Sequence, residues 1–311
     1  MHRHFLYACI SLLILGSSAM TREFAIESSG DADTVTVVID TLRDQSGMLE
    51  GYRAKINSPV CEADKCYAIE IIFHWDLIGR FVNYDTIPGQ GLTKLDHIPF
   101  TQADYHKLQD ILKSDNSVLA SYQKDQLVKN TRISDIDGFT GATIQEIKDN
   151  VIEGAVYSCY TLWHLAHGPI SHMLQQRTCT MFNDQLVKKL VAMQDQEVNY
   201  FLINNFSEKD FSCYLPSVLK AIAAGKGYFP KNAIEKIPES VLMHDVSQDF
   251  FASKFTSLNY FAQVALLKKV SQKILNERLL SSFAQSLDAR DSYRNELLKE
   301  ILERNKNSIH K

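Results

Sequence analysis

The stretch VCEADKCYAIEIIFHW, residues 60–75, predicts the antiparallel sheet of the first part of the chain. Residues 67–73, apart from Glu70, are apolar and rich in β-branched and aromatic side chains, as in a strand. The tetrapeptide Glu-Ala-Asp-Lys between Cys61 and Cys66 has the composition of a turn. The stretch therefore predicts a hairpin, and in an exported protein a disulfide between the two cysteines could close it.

The neighbouring segments extend this pattern in both directions. Residues 33–41, DTVTVVIDT, are rich in strand formers, and residues 81–84 predict a short strand. Thr101, followed by Asp104 three residues later, predicts the beginning of a helix that runs to about Lys113. We therefore expect residues 30–175 to form an α+β domain with an antiparallel sheet.

The second part of the chain changes character and predicts helices only. From residue 182 onward, segments such as DQEVNYFLINNF (195–206) and FTSLNYFAQVALLKKVSQKIL (255–275) place apolar residues three and four apart. Helices of this length with short polar joints favour antiparallel pairs. Residues 180–311 thus predict an all-α domain, either a HEAT-like solenoid or a plain bundle, because no exact repeat is visible.

Length and charge limit the possible functions. The chain has 311 residues, of which 45% are hydrophobic, which is enough for one large domain or two ordinary ones. The formal charge is −4, and lysine and arginine are spread along the chain without a basic block. A nucleic acid is therefore not expected as a partner.

The N-terminus has the pattern of a secretory signal. Arg3 precedes the apolar run FLYACISLLIL at residues 5–15, and small residues, including Ser17 and Ala19, follow it. We expect residues 1–19 to be removed on export, to a periplasmic or extracellular location, leaving no membrane span. Five of the six cysteines would remain, so at least one thiol stays free or pairs elsewhere.

The segment DGFTGATIQEIKDNV, residues 137–151, supports two interpretations. Thr143 and Glu146 fit a capping box, with Ile147 and Val151 continuing a helical pattern. Capping alone does not account for the residues immediately before the threonine. The segment also fits the pattern Asp-x-x-Ser/Thr-Gly-Ala-Ser/Thr, whose fixed positions here are Asp137, Thr140, Gly141, Ala142 and Thr143.

This pattern resembles the flavinylation site of FMN-binding domains, which occur in the C and G subunits of sodium-pumping NADH:quinone reductases and in related electron-transport complexes. The resemblance implies that a flavin transferase joins FMN through its phosphate to Thr143, and that the transferase reads Asp137. It also implies that Thr140 donates to the phosphate, while Gly141 and Ala142 allow close approach. The chain has Gln145 where members of the family carry a hydroxyl residue.

A second cluster, VYSCYTLWHLAHGPISH at residues 156–172, is rich in aromatic residues and histidines. Tyr160, Trp163, His164 and His167 would share one face of a helix that ends at Gly168-Pro169. This face could hold the flavin ring, with Tyr160, Trp163 and His164 as cofactor-binding residues. Two alternatives stay open: a helix stripe packed on the sheet, or a metal site that lacks an obvious further ligand.

Two functions follow from these patterns. The first is an exported flavoprotein that transfers electrons, with a redox partner docking on the helical domain. The second is an exported scaffold or binding protein that keeps an FMN-binding-like fold without flavin and acts through its helices. The varied loop LTKLDHIPF, residues 92–100, either lines a site or is simply solvated.

Overall fold

A computed structural model of the chain describes residues 20–26, 33–62, 65–127, 145–288 and 291–309. The chain divides into two compact units, Met1–Met181 and Phe182–Lys311. The predicted signal peptide of residues 1–19 and the motif of residues 137–143 lie outside the described residues. The predicted fold class is confirmed: an α+β unit precedes a unit that has helices and no strand in its described part.

The first unit is built on a five-stranded antiparallel meander in the order β1-β2-β3-β4-β5. Its strands are β1 (Met20–Ile26), β2 (Asp33–Arg43), β3 (Leu49–Glu62), β4 (Lys65–Trp75) and β5 (Phe81–Thr86). The predicted hairpin is confirmed as β3 and β4, whose register sets Cys61 opposite Cys66. Strand β3 begins at Leu49, well before the segment from which the hairpin was predicted.

Burial alternates along the strands with the period of two that a half-buried sheet requires. On β3, Tyr52, Ala54 and Ile56 are buried, whereas Arg53 and Lys55 between them are exposed. The exposed face carries cross-strand ion pairs, such as Lys55–Glu70 at 2.7 Å. One face of the sheet therefore belongs to the core and the other faces solvent.

Helices cover the buried face of the sheet. They are α1 (Gln102–Lys113), the short α2 (Gln145–Lys148), α3 (Val156–His167) and α4 (Pro169–Thr180), with 3-10 turns at Leu95–His97, Val118–Ser121 and Lys124–Gln126. Trp75, 2% exposed, donates from Nε1 to the carbonyl of Ala166 at 2.9 Å and so joins β4 to α3. The hydroxyls of Tyr52 and Thr178 lie 2.7 Å apart and join β3 to α4. Buried hydrogen bonds thus fix the position of α3 and α4 on the sheet.

Two predicted helix boundaries are confirmed. The helix after Thr101 is α1, and Thr101 and Asp104 form a reciprocal capping box. Gly168 and Pro169 end α3, and α4 begins at once. The helical pattern after Thr143, by contrast, gives only the four residues of α2 before a turn.

The second unit is a stack of helices around a continuous apolar core. Its helices are α5 (Asp184–Ala192), α6 (Gln196–Asn205), α7 (Glu208–Cys213), α8 (Leu215–Ala224), α9 (Phe229–Lys236), α10 (Glu239–Leu242), α11 (Asp245–Lys254), α12 (Tyr260–Val270), α13 (Glu277–Gln285) and α14 (Ser292–Ile309). The core includes the fully buried side chains of Phe229, Phe251, Phe255 and Phe283.

The contacts in this unit repeat with a period of 32 residues. Pairs separated by 32 positions hydrogen-bond to each other: Asn232 to Tyr200, Asn259 to Gly227 and Asn305 to Lys273. Correspondingly, α6 packs on α9 and α9 on α12. Each repeat therefore contacts its equivalent in the next, which is the organisation of a solenoid rather than of a plain bundle.

Candidate functional site

A cavity of about 510 Å³ lies in the first unit, between the sheet, the loop after β5 and the beginning of α3. Its size falls within the range of small-molecule sites, roughly 300–1,000 Å³. The sheet contributes an apolar side, from Val60, Ala68 and Ile69. Glu70 also lines the cavity, but its carboxylate is paired with Lys55.

The loop wall of the cavity comes from residues 90–97, within a segment that the sequence left open as a site or a solvated loop. Thr93, Lys94 and His97 line the cavity. Asp96 and His97 both have left-handed backbone, with φ of 57° and 59°. Two consecutive residues other than glycine in this conformation store backbone strain, which is common where a loop is shaped for a ligand.

Lys94 fixes this loop to α1. Its Nζ lies 2.9 Å from Oδ1 of Asp104, the residue that also closes the capping box with Thr101. Burial would raise the pKa of Asp104, but the hydrogen bonds from Lys94 and Thr101 outweigh it and lower the pKa. Asp104 is therefore ionised near neutral pH, and it balances the charge that Lys94 brings to the cavity wall.

The third wall is the N-terminus of α3. Ala155 stands at the N-cap, and no side chain caps the first N–H groups of the helix. Gly154, with φ of 72°, makes the turn into the helix and accepts a hydrogen bond from Leu95 N–H at 2.6 Å. Ser158 lines the cavity at 9% exposure, and no residue in the described ranges pairs with its hydroxyl. The cavity wall therefore combines a helix N-terminus without a side-chain cap and the hydroxyl of Ser158.

The predicted aromatic cluster lies on α3 and is assembled much as the sequence suggests. Trp163 stacks on His167 with ring centroids 4.7 Å apart, and Tyr160 lies 4.2 Å from His164. The rings are largely buried: Tyr160 is 6% exposed and Trp163 is 5% exposed. The cluster thus forms part of the packing between α3 and the segment after α1.

The polar atoms of this cluster are satisfied by backbone carbonyls. Trp163 Nε1 donates to Ser114 at 2.8 Å, Tyr160 Oη donates to Tyr122 at 3.2 Å, and His164 Nε2 lies 3.3 Å from the carbonyl oxygen of Leu119. Burial lowers the pKa of His164, so the ring is neutral near pH 7. None of the three residues lines the described cavity. The cluster fixes the path of residues 114–122.

The flavinylation motif itself, Asp137, Thr140, Gly141, Ala142 and Thr143, lies outside the described residues. The helix that follows it, α2, begins at Gln145 and contacts the 3-10 helix Val118–Ser121. That 3-10 helix also contacts α3, including His164 through Leu119. The helix next to the motif and the aromatic cluster therefore share one neighbour.

Other chemistries find little support in the described ranges. No group of three or more histidine, cysteine or acidic side chains is arranged there to hold a metal ion. Cys159 is completely buried, and burial raises its pKa to about 12, so its thiol is not a nucleophile near neutral pH. In those ranges no helix is both long and apolar enough to cross a membrane.

No protein-family model, curated protein or solved structure matches the chain. The resemblance to FMN-binding domains therefore rests on the residues of the motif.

The residues of α3 that line the cavity are not those that the sequence proposed for a flavin ring. Tyr157 and Ser158 line the cavity, one turn before the aromatic residues that the sequence favoured. A signal was present, because an alanine at the N-cap leaves the helix N-terminus open to an external acceptor. The walls that Ser158 faces come from distant segments, so the sequence alone could not show the cavity.

The second unit offers a surface of a different kind. Tyr228, Tyr260 and Phe261 are 59%, 44% and 49% exposed, and the ring of Phe261 contacts both tyrosine rings. Tyr293 is 44% exposed, and Phe261 and Tyr293 occupy equivalent positions of consecutive repeats, as do Tyr228 and Tyr260. We call these four residues the aromatic ladder. Exposed aromatic side chains of this kind are typical of protein-binding surfaces.

Proposed function

We propose that the protein is an exported flavoprotein that carries FMN covalently on Thr143 and takes part in electron transfer outside the cytoplasm. The motif at residues 137–143 and the export pattern at residues 1–19 support the proposal. The single structural observation that carries it furthest is the amphipathic cavity in the same unit, with the open N-terminus of α3 in its wall.

The attachment point has a physical rationale. Helix α2 begins at Gln145, so Thr143 stands two residues before its first helical residue. Free backbone N–H groups at the beginning of a helix favour a phosphate group at this place, although the four residues of α2 add little dipole. Thr140 would donate to the phosphate, and Gly141 and Ala142 leave room for it and for the flavin transferase.

The cavity fits a flavin ring in chemistry as well as in size. An isoalloxazine has an apolar edge and a polar edge, and bound FMN supplies reversible electron transfer. Val60, Ile69 and Leu92 offer an apolar side, whereas Thr93 and Ser158 offer hydroxyl groups on the other walls. The residues present thus allow the chain to bind and orient such a ring.

The aromatic cluster then has a positioning role. Trp163, Tyr160 and His164 hold the segment of residues 114–122 against α3 through its carbonyls. The same segment contacts α2. On this proposal the cluster keeps the helix after the motif in place, instead of forming the wall against which the ring lies.

The proposed activity needs partners. A flavin transferase would attach the cofactor, and a second redox protein would exchange electrons with it. The aromatic ladder on the second unit, centred on Tyr228 and Phe261, is the surface on which such a protein could dock.

The test is a set of substitutions in the chain exported from a host that has a flavin transferase. Thr143→Ala should abolish covalent flavin and leave the fold intact, because one cap contributes only about 1 kcal/mol. Thr143→Ser should retain flavin. Thr140→Ala should reduce the attached fraction less than Thr143→Ala does, and Asp137→Ala should impair attachment. Intact mass and flavin absorbance measure each outcome.

Thr101→Ala is the control, since it removes a threonine that caps a helix outside the motif. It should leave the attached flavin unchanged. Retention of covalent flavin in Thr143→Ala would exclude Thr143 as the acceptor.

One observation favours a second candidate function, a scaffold without flavin. The exposed rings of the aromatic ladder form two pairs, Tyr228 with Tyr260 and Phe261 with Tyr293, each 32 positions apart, which suits a partner that spans two repeats. If the wild-type chain from a host with a flavin transferase carries no flavin, the helical unit is the functional part. The first unit then keeps an FMN-binding-like fold without the cofactor.

A further inference from the structure

The open N-terminus of α3 and the side chain of Ser158 meet in one place, the cavity wall. The helix has 12 residues, and no side-chain acceptor caps its first turn. Ser158 occupies the third helical position, so its backbone N–H belongs to that turn. Ser158 as a residue is nine-tenths buried, and its hydroxyl has no partner among the described residues. The hydroxyl oxygen is not one of the fully buried unpaired atoms, so it opens onto the cavity, where a ligand could accept its hydrogen bond.

The remaining charges on the wall nearly cancel. Lys94 is paired with Asp104 at 2.9 Å, and Glu70 is paired with Lys55 at 2.7 Å. The positive end of the α3 dipole and the Ser158 hydroxyl therefore decide which ligand charge is favoured at this wall. Both act as donors and both favour a negative group.

The opposite side of the cavity is apolar. Val60, Ile69 and Leu92 line it, and the cavity volume of about 510 Å³ exceeds what a single inorganic ion needs. A ligand that fills the site should therefore combine an anionic group with an apolar body.

We infer that the N-terminus of α3 and the Ser158 hydroxyl form an oxyanion-binding site, which takes the carboxylate or phosphate of a small, partly apolar molecule. The site is independent of flavin on Thr143, since its donors are present in the unmodified chain. Such an oxyanion could belong either to a diffusible metabolite or to a cofactor that the chain carries.

The test uses the full chain produced without a flavin transferase, with inorganic phosphate as the probe. Two-dimensional amide NMR follows the signals of residues 156–158 during a phosphate titration. We expect a saturable shift of these signals. Ser158→Ala should weaken the binding about tenfold, as for the loss of one hydrogen bond to a charged group.

Ser158→Asp is a second variant, in which the fold should be retained. An acidic residue in the first turn favours the helix, so the helix should persist. Its carboxylate would compete for the same donors and repel phosphate, and the saturable shift should disappear. The amide spectrum outside the cavity reports whether the fold is retained.

Ser217 provides a control at the same helix position in α8, where no side chain caps the first turn and the Ser217 N–H already donates to the carbonyl of Tyr214 at 3.0 Å. Ser217 faces a void of only about 10 Å³. Phosphate should not shift its amide in a saturable way, and Ser217→Ala should leave the affinity at residues 156–158 unchanged.

The same titration on flavin-loaded protein distinguishes the two sources. If phosphate still shifts the signals of residues 156–158 in flavin-loaded protein, the site is open to a diffusible molecule. If that shift is lost, the attached cofactor occupies the site. The inference is overturned if phosphate gives no saturable shift at residues 156–158, if Ser158→Asp titrates like the wild type, or if Ser217 responds equally. Because the first arm uses unmodified protein, its failure is distinct from a failure to find flavin.

Discussion

The two units of this chain present different surfaces to possible ligands. In the first unit, the cavity of about 510 Å³ joins apolar strand residues to the open end of α3. In the second unit, depressions of about 400 and 450 Å³ are lined mainly by polar side chains such as Gln285 and Arg294. The second unit instead exposes aromatic rings, among them Tyr228 and Phe261.

The difference follows from how each unit buries its backbone. A sheet covered by helices on one face leaves gaps where a loop and a helix end meet the strands, and such gaps suit small molecules. Stacked helical repeats fill their interior with side chains and offer an extended outer surface, which suits another protein. On the proposed function, the small molecule therefore belongs to the first unit and the partner to the second.

The largest expected effect comes from removing one buried aromatic ring from the core of each unit in turn. Phe73→Ala in the first unit and Phe251→Ala in the second remove fully buried rings, and each should lower the free energy of unfolding by about 3–5 kcal/mol. The chain has two tryptophans, Trp75 and Trp163, and both lie in the first unit. Denaturation followed by tryptophan fluorescence should therefore report Phe73→Ala, and helix circular dichroism should report Phe251→Ala.

Phe73→Leu and Phe251→Leu are the controls, since they keep more of the buried volume and should lose less stability. If each alanine variant shifts both signals by the same amount, the two units unfold together and the comparison between them loses its basis.

A smaller effect is expected where one lysine joins two repeats of the second unit. Lys269 Nζ on α12 donates to the carbonyls of Ile234 at 2.9 Å and Glu235 at 2.6 Å, and also to Ile237. Lys269→Met would leave these carbonyls at the end of α9 without their donor, so we expect a loss of about 2–3 kcal/mol. Chemical denaturation followed by circular dichroism measures it.

Lys299→Met is the matched control, because Lys299 is exposed on α14 and no described residue pairs with it. It should change the free energy of unfolding by less than about 0.5 kcal/mol. Equal losses in the two variants would show that Lys269 does not hold the repeats together.

The smallest effect concerns the helix that supports the cavity loop. Thr101→Ala removes the hydroxyl that accepts from Asp104 N–H at 3.2 Å, and should lower stability by about 1 kcal/mol. Tryptophan fluorescence during denaturation checks the value. Thr256→Ala, at an exposed threonine in the second unit, should be close to neutral, and a similar loss there would argue against a specific cap at Thr101.

Local signals in the sequence predicted much of the fold. The hairpin of β3 and β4, the Thr101 capping box and the end of α3 at Gly168-Pro169 each depend on neighbouring residues, so the local sequence pattern was sufficient. The solenoid period was missed, because equivalent positions carry different residues. Asp195, Asn259 and Asp291 do accept hydrogen bonds at the beginnings of equivalent helices, and their spacing in multiples of 32 was the available signal.

The candidate site was less predictable than the fold. The aromatic residues of α3 attract attention in the sequence. In the structure, however, Trp163 Nε1 and Tyr160 Oη already donate to the carbonyls of Ser114 and Tyr122. Ser158 is inconspicuous, and its importance comes from the distant segments that enclose it. Long-range packing decides which polar groups stay unpaired, and a local pattern cannot show it.

The central claim is that Thr143 carries FMN, and the most direct measurement is the intact mass of the wild-type chain exported from a host with a flavin transferase. The same host without the transferase gives the reference. The account predicts the mass of a chain that begins near residue 20, increased by one FMN less one water, together with flavin absorbance in the visible range. The unmodified mass of the cleaved chain in both hosts, without flavin absorbance, would contradict it.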